Sequence, residues 1–169
     1  MSAPNAASAR EDRFHSLTPA SLSSAEQSSV VALALKVLSG RFRRGRTVNA
    51  PGDIQQFLRL KLSGRRNEVF GVIFLDARHR LIRMAELFHG TVDGATVYPR
   101  VVVQKALDNN AAALILVHNH PSNISEPSEA DCGITLKRAR ALARVALRRG
   151  DHLVVTDGSF VSLAERGCI

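Results

Sequence analysis

Apolar positions along the chain change period in a way that separates helices from strands. Between residues 24 and 38, Val30, Val31, Leu33, Ala34, Val37 and Leu38 recur near helical spacing, and Gly40 supplies a stop. Pro51 opens a second helical pattern carrying Ile54, Phe57, Leu58, Leu60 and Leu62, which Gly64 ends. The run from Glu68 to Asp76 is β-branched and aromatic. A polar turn at 77–79 leads from it into a second extended stretch over 81–88, so the two predict a hairpin near the centre of a sheet. Pro99 suits the first turn of a helix reaching about Asp108, with Asn109-Asn110 able to supply a left-handed terminating residue. Residues 112–117 are apolar on both faces, as in a strand covered by helices on either side, and they end at His118. A helix starting near Ser128 has an apolar arc of Ile134, Ala139, Leu142, Val145 and Ala146, with Lys137, Arg140 and Arg144 opposite. After Gly150 come strands at 152–155 and 159–161, joined through Asp157-Gly158.

This order predicts an α/β fold, a mixed β-sheet flanked by helices. The 169 residues suit one domain. Residues 1–24, rich in Ser and Ala with no apolar signal region, are expected to be a flexible leader. Residues 25–169 are expected to be the domain, with a helical part at 25–64 and a catalytic core at 65–169. No apolar run approaches the roughly 18 residues that cross a bilayer, so no membrane partner is expected. Cys132 and Cys168 lack C-x-x-C spacing and are too few for a disulfide framework, which predicts reduced thiols and a cytoplasmic location.

His118-Asn-His120-Pro121 places two imidazoles at i and i+2, on one side of an extended backbone, so their nitrogens can converge on one ion. Ser128-Glu-Ala-Asp131 has the form of a capped helix start whose carboxylate faces back toward the preceding loop. Taken singly, an H-x-H pair is more often hydrogen-bonded histidine and S-x-x-D more often only a cap. Together they give two neutral imidazoles and a carboxylate, a three-ligand set typical of catalytic zinc with a fourth position left for water.

The gapped pattern H-x-H-P, six residues, S-x-x-D, filled by His118, His120, Pro121, Ser128 and Asp131, resembles the JAMM (MPN-plus) metalloprotease motif. More closely, 118–131 resembles the RadC family, as do Phe74-Leu-Asp76, 86–91, Val97-Tyr-Pro-Arg100, Asp151-His152 and 161–167, so that the resemblance runs from about Glu26 to the C-terminus. It implies the JAMM/MPN (cytidine-deaminase-like) architecture, Zn2+ held by His118, His120 and Asp131, and hydrolysis of a peptide or isopeptide bond. It further implies a glutamate general base. Glu68, in Glu68-Val-Phe-Gly71, matches the family pattern E-x-x-G before an apolar strand; Glu86 is the rival but lacks the glycine. Ser128 would hold the developing oxyanion. Asn123 replaces the family's usual glycine after His-Asn-His-Pro-Ser, and Gly150 stands where an apolar residue is expected. The helix-hairpin-helix region of longer RadC-type proteins has no counterpart in residues 1–25, which suggests a short, single-domain form.

The net charge of +8 motivates an alternative, a DNA-repair-associated or nucleic-acid-binding accessory protein that keeps the metal fold without turnover. Its basic groups would be Arg41–Arg46, Lys137, Arg140 and Arg144, although aromatics at 5% offer few stacking platforms. His152 reads as a structural histidine, and His15, His79 and His89 as exposed bystanders. A non-haem iron oxygenase leaves Ser128 and Glu68 without roles, and a nucleobase deaminase lacks P-C-x-x-C.

Overall fold

The seven residues Val69–Leu75 are buried throughout, which a strand achieves only with sheet on both edges and packing on both faces. They form β1 of a five-stranded sheet whose order is β2-β1-β3-β4-β5, with β2 at Leu81–His89, β3 at Ala113–Asn119, β4 at Arg148–Val155 and β5 at Phe160–Ser162. The computed structural model describes residues 16–42, 44–45, 47, 51–62, 64–91, 96–128, 131–133, 135, 142, 145 and 147–168. His15, Arg43, Arg46, Ile134, Lys137, Ala139, Arg140, Arg144 and Ala146, which entered the sequence reading, lie outside them, as does most of the expected leader.

The chain divides into two compact units, Met1–Ala34 and Leu35–Ile169. In the first, a short 3-10 turn at Pro19–Ser21 precedes the start of α1 (Ser24–Arg41). Ser23 caps that start: its hydroxyl accepts from the Glu26 N–H while its own N–H donates to the Glu26 carboxylate, a reciprocal capping box.

In the second unit, β3 is the middle strand, antiparallel to β1 and parallel to β4. One face of the sheet, through Val69, Ile73, Val117 and Val155, packs on Leu38 of α1 and on Ile54, Phe57, Leu58 and Leu62 of α2 (Pro51–Leu62). The other, through Phe70, Val72, Phe74, Leu114 and Leu116, packs on Val102 and Ala106 of α3 (Pro99–Asp108) and on Leu142. Val102 and Ala106 are four residues apart, hence on one helix face, and both are fully buried. Asn110, at φ 48°, supplies the left-handed residue after α3. This is the mixed α/β sheet with helices that the hydrophobic pattern predicts.

Two expectations are corrected. The predicted hairpin does not lie wholly at the sheet centre: β1 is interior, but β2 stands at one end of the strand order and, among the five strands, pairs with β1. Its Arg83, Glu86 and His89 suit a strand that is only partly covered. Second, β4 begins at Arg148 rather than at His152, with Gly150 inside it. Leu114 pairs with Arg149 and Leu116 with His152, so Gly150 and Asp151 stand opposite the single Ile115, a β-bulge. A Cβ at position 150 would lie 2.8 Å from the Leu114 carbonyl oxygen and 3.1 Å from Ile115 Cγ1. The glycine that stands where an apolar residue is expected is thus required by close approach of backbone.

Gly150→Ala should therefore destabilise the protein by about 1–3 kcal/mol, the usual cost of forcing atoms into a packed site. Gly40→Ala, where an added Cβ meets nothing within 4 Å, should be neutral or stabilising by up to about 1 kcal/mol in the last turn of α1. Urea unfolding of both variants checks the pair; equal midpoints would refute the steric account of the bulge.

Candidate metal centre

Past the bulge opposite Ile115, backbone pairing continues to the end of β3. His118 lies opposite Phe70 on one side and Val154 on the other, Asn119 lies opposite Val155, and the His120 N–H donates to the Val155 carbonyl at 3.0 Å. Alternation then sends His118 and His120 to one side of the strand and Asn119 to the other. The two Nε2 atoms approach to 2.9 Å.

Asp131 arrives from a separate element. The Ser128 N–H and Oγ–H both donate to Asp131 Oδ2, at 2.8 and 2.6 Å, and the Asp131 N–H returns a bond to Ser128 Oγ at 3.1 Å. This reciprocal cap turns the carboxylate back over the loop. Its Oδ1 lies 3.3 Å from His118 Nε2 and its Oδ2 3.4 Å from His120 Nε2. One donor atom from each of the three residues falls within 4.8 Å of the others, an arrangement that could hold a metal ion. A tetrahedral ion with N and O ligands at roughly 2.0–2.1 Å has ligand edges of about 3.3 Å, so the spacing suits such an ion.

The outer nitrogens are also engaged. His120 Nδ1–H donates to the Ile124 carbonyl at 2.7 Å. That carbonyl is presented by Asn123, which at φ 60° takes the left-handed conformation that favours glycine. Asn123 also pairs reciprocally with Asp157: its Oδ1 accepts from the Asp157 N–H at 2.8 Å, and its Nδ2 donates to the Asp157 carboxylate at 3.2 Å. Asparagine here does more than replace a glycine. His118 Nδ1 lies 2.9 Å from His152 Nε2, and His152 Nδ1 lies 2.6 Å from Thr135 Oγ1. His152 is therefore in contact with a candidate ligand, a role that its sequence position does not disclose; the bulge at 150–151 brings it to the side of the sheet that His118 faces.

The two glutamates are treated differently. Glu86 is held by Lys61 Nζ at 3.3 Å and Arg65 Nη2 at 3.5 Å. Glu68 precedes β1, and its N–H and carbonyl pair with Thr91 and Gly90. Asn119 holds the backbone on both sides of it: Oδ1 accepts from the buried Val69 N–H at 2.7 Å and Nδ2 donates to the Asn67 carbonyl at 3.2 Å. The charge of Glu68 reaches His120, whose pKa is raised first by its hydrogen bond to Asp131, against burial, then by the Ile124 carbonyl and the charges of Asp131 and Glu68. Burial works against ionisation of Asp131, but His120, the charge of His118 and the two bonds from Ser128 outweigh it and hold the carboxyl far below its ordinary range. A cavity of about 660 Å³ opens beside His120, lined also by Leu62, Arg65, Arg66, Asn119 and Thr156.

Cys132, next to Asp131, forms a disulfide with Cys168, with Cα atoms 5.5 Å apart. This corrects the expectation of two reduced thiols: 36 residues separate them in sequence, and the fold brings them together beside Val154, Val161 and Leu163. His79 is exposed and takes a left-handed turn at φ 56°, away from the centre.

Residues 48–168 match a family model described as a RadC-like JAB domain. A UPF0758 protein of Marinobacter nauticus is 46% identical over 143 residues, 85% of this chain and 64% of the relative. One of Azotobacter vinelandii is 47% identical over the same length and shares, and one of Cellvibrio japonicus is 49% identical over 139 residues, 82% of this chain and 62% of the relative. The chain thus spans under two thirds of the length of these curated relatives.

In metal-free protein, the raised His120 value contributes stability that is full below pH 6.5 and lost as pH rises from there through the raised folded-state value. The lowered Asp131 value contributes stability present above pH 3.8 and lost as pH falls. Chelator-treated protein should therefore resist urea better at about pH 5.5 than at about pH 8.5, with the difference shrinking in His120→Asn. The same pH difference in wild type and variant would remove His120 as its source.

Proposed function

The chain belongs to the RadC-like JAB-domain family, and on that footing we propose that it is a zinc-dependent hydrolase of metallopeptidase or isopeptidase type. The observation that carries this reading is the convergence of His118 Nε2, His120 Nε2 and the Asp131 carboxylate, with separations of 2.9, 3.3 and 3.4 Å. Two imidazoles and one carboxylate are the donor set of catalytic zinc sites that keep a fourth position open. When bound, zinc supplies the Lewis acidity that makes water a nucleophile near neutral pH.

The chain's own residues then divide the proton work. Glu68 takes a proton from the attacking water as its oxygen bonds to the amide carbon, and returns it to the leaving nitrogen as the C–N bond breaks. The reach of its charge to His120 and its place in Glu68-Val-Phe-Gly71 favour Glu68 over Glu86. Ser128, exposed at the loop end, can turn its hydroxyl from Asp131 Oδ2 to the carbonyl oxygen of the substrate, while its backbone N–H keeps the carboxylate in place. The cavity beside His120 would receive the chain to be cut, and the exposed Arg65 and Arg66 on its wall favour a substrate with an acidic group near the scissile bond.

Elemental analysis tests the reading first. Wild type should hold one zinc per chain and lose it in His118→Ala and Asp131→Ala, with all three proteins folded. Glu68→Gln should keep the zinc and lower hydrolysis in a panel of peptide and isopeptide substrates by about 10²–10⁴-fold, the usual contribution of a general base. Full activity in Glu68→Gln would end its assignment. A zinc-loaded protein that cuts nothing in the panel but binds DNA with steep salt dependence would instead favour the accessory role that the charge of +8 suggests.

Asn119→Ala should leave the buried Val69 N–H without its acceptor, at a cost of about 1–3 kcal/mol in stability. It should also lower turnover more than zinc content, because the backbone around Glu68 loses its clamp. Loss of zinc in parallel with turnover would show that Asn119 acts on the imidazoles instead.

A further inference from the structure

Among the described residues, His118, His152 and Thr135 are buried to within 1% of complete exclusion from solvent, and they form a continuous chain of contacts. His118 Nδ1 lies 2.9 Å from His152 Nε2, His152 Nδ1 lies 2.6 Å from Thr135 Oγ1, and Thr135 Oγ1 lies 2.5 Å from the backbone carbonyl oxygen of Asp131. The chain therefore leaves one candidate ligand and returns to the backbone of another.

Its direction follows from what each group can do. A carbonyl oxygen only accepts, so the single Thr135 hydroxyl proton is committed to Asp131. Thr135 Oγ1 must then accept from His152 Nδ1–H. With its proton on Nδ1, neutral His152 presents a lone pair at Nε2, which accepts from His118 Nδ1–H. His118 is left with its lone pair on Nε2, the nitrogen that faces His120 and Asp131. For His120 the Ile124 carbonyl imposes the same tautomer in one step. For His118 the nearest neighbour is another imidazole, which by itself could donate or accept, and the choice is made two residues further on.

We propose that Thr135 and His152 are positioning residues that fix His118 in its metal-binding tautomer, with the Asp131 backbone carbonyl as the terminal acceptor that gives the chain its direction. This rests on the metal-centre reading above for its purpose, but the tautomer itself is a property of the metal-free protein. The back-bond from Thr135 to the residue four earlier is ordinary for a helical threonine; what is not ordinary is that the same oxygen also receives a buried histidine.

Two measurements test it. In 15N-labelled, metal-free wild type at about pH 8, long-range 1H–15N correlation spectra should show His118 and His152 both carrying the proton on Nδ1. A proton on His118 Nε2 would overturn the proposal whether or not the protein binds zinc. Zinc affinity is then measured by competition with a chromophoric chelator. Thr135→Val, which keeps shape and removes the hydroxyl, should weaken zinc binding by about 10–100-fold, the usual range for outer-shell partners, while Thr135→Ser should restore it. Equal affinity in Thr135→Val and wild type would sink the proposal. A wild type that takes up no zinc would defeat the metal reading, while the spectra would still decide the tautomer; should Thr135→Val fail to fold, they decide the proposal alone.

Discussion

The end of β3 is the constraint on which the remaining structure depends. A strand buried on both faces must satisfy its backbone with ladder partners on both edges, because no water reaches it. β3 keeps those partners through His118 on the β1 side and through Asn119 on the β4 side, and the His120 N–H still bonds to Val155. The Cα atoms that carry the two imidazoles are thereby fixed by the sheet and not by a loop. Side-chain alternation does the rest: the imidazoles go one way, and Asn119 goes the other to grip Asn67 and Val69. A single strand end thus sets both the candidate ligands and the backbone on either side of Glu68.

Asp131 is the counterpart on the other side of the centre, and its electrostatics follow from serving two masters. As the third residue after the Ser128 cap it accepts two hydrogen bonds from Ser128, and as a candidate ligand it faces two imidazoles. Burial penalises its charge, yet the surrounding donors more than offset that penalty, so it stays ionised. The neighbouring carboxylate in turn holds a proton on His120 beyond the ordinary histidine range. Proton and cation would compete for the same lone pairs, the expected behaviour of a site whose affinity depends on pH.

The parts of this arrangement that were legible in the sequence are the local ones. His118 and His120 are two residues apart on one strand, and Ser128 and Asp131 form one turn of cap, so spacing alone implies their geometry. The sheet class and most element positions follow from hydrophobic period in the same way. What was not legible depends on partners distant in sequence. His152 joins His118 only because Gly150 and Asp151 both stand opposite Ile115, and a bulge of one residue changes which face of the strand every later side chain takes. Thr135 carries no signal beyond that of a helical threonine. Cys132 and Cys168 meet across 36 residues, and β2 is an edge strand because of sheet order, which hydrophobic period does not encode. The charge of Glu68 was placed by motif resemblance, and its relation to His120 appears only once β1 and β3 pair.

The outer contacts of the donor cluster close on themselves. From His118 the path runs through His152 and Thr135 to the carbonyl of Asp131, whose carboxylate comes back to His118 at 3.3 Å. Groups bound in a ring cannot be displaced singly: a shift of the helical turn at 131–135 moves the carboxylate and the terminal acceptor of the hydrogen-bond chain together. Ligand position and ligand tautomer are thus coupled through one backbone segment. Buried networks of this kind stabilise only when every member is satisfied, and a half-made one costs more than an apolar replacement. The sheet positions two of the candidate ligands and that one turn the third, with its carboxylate oriented by the cap at Ser128.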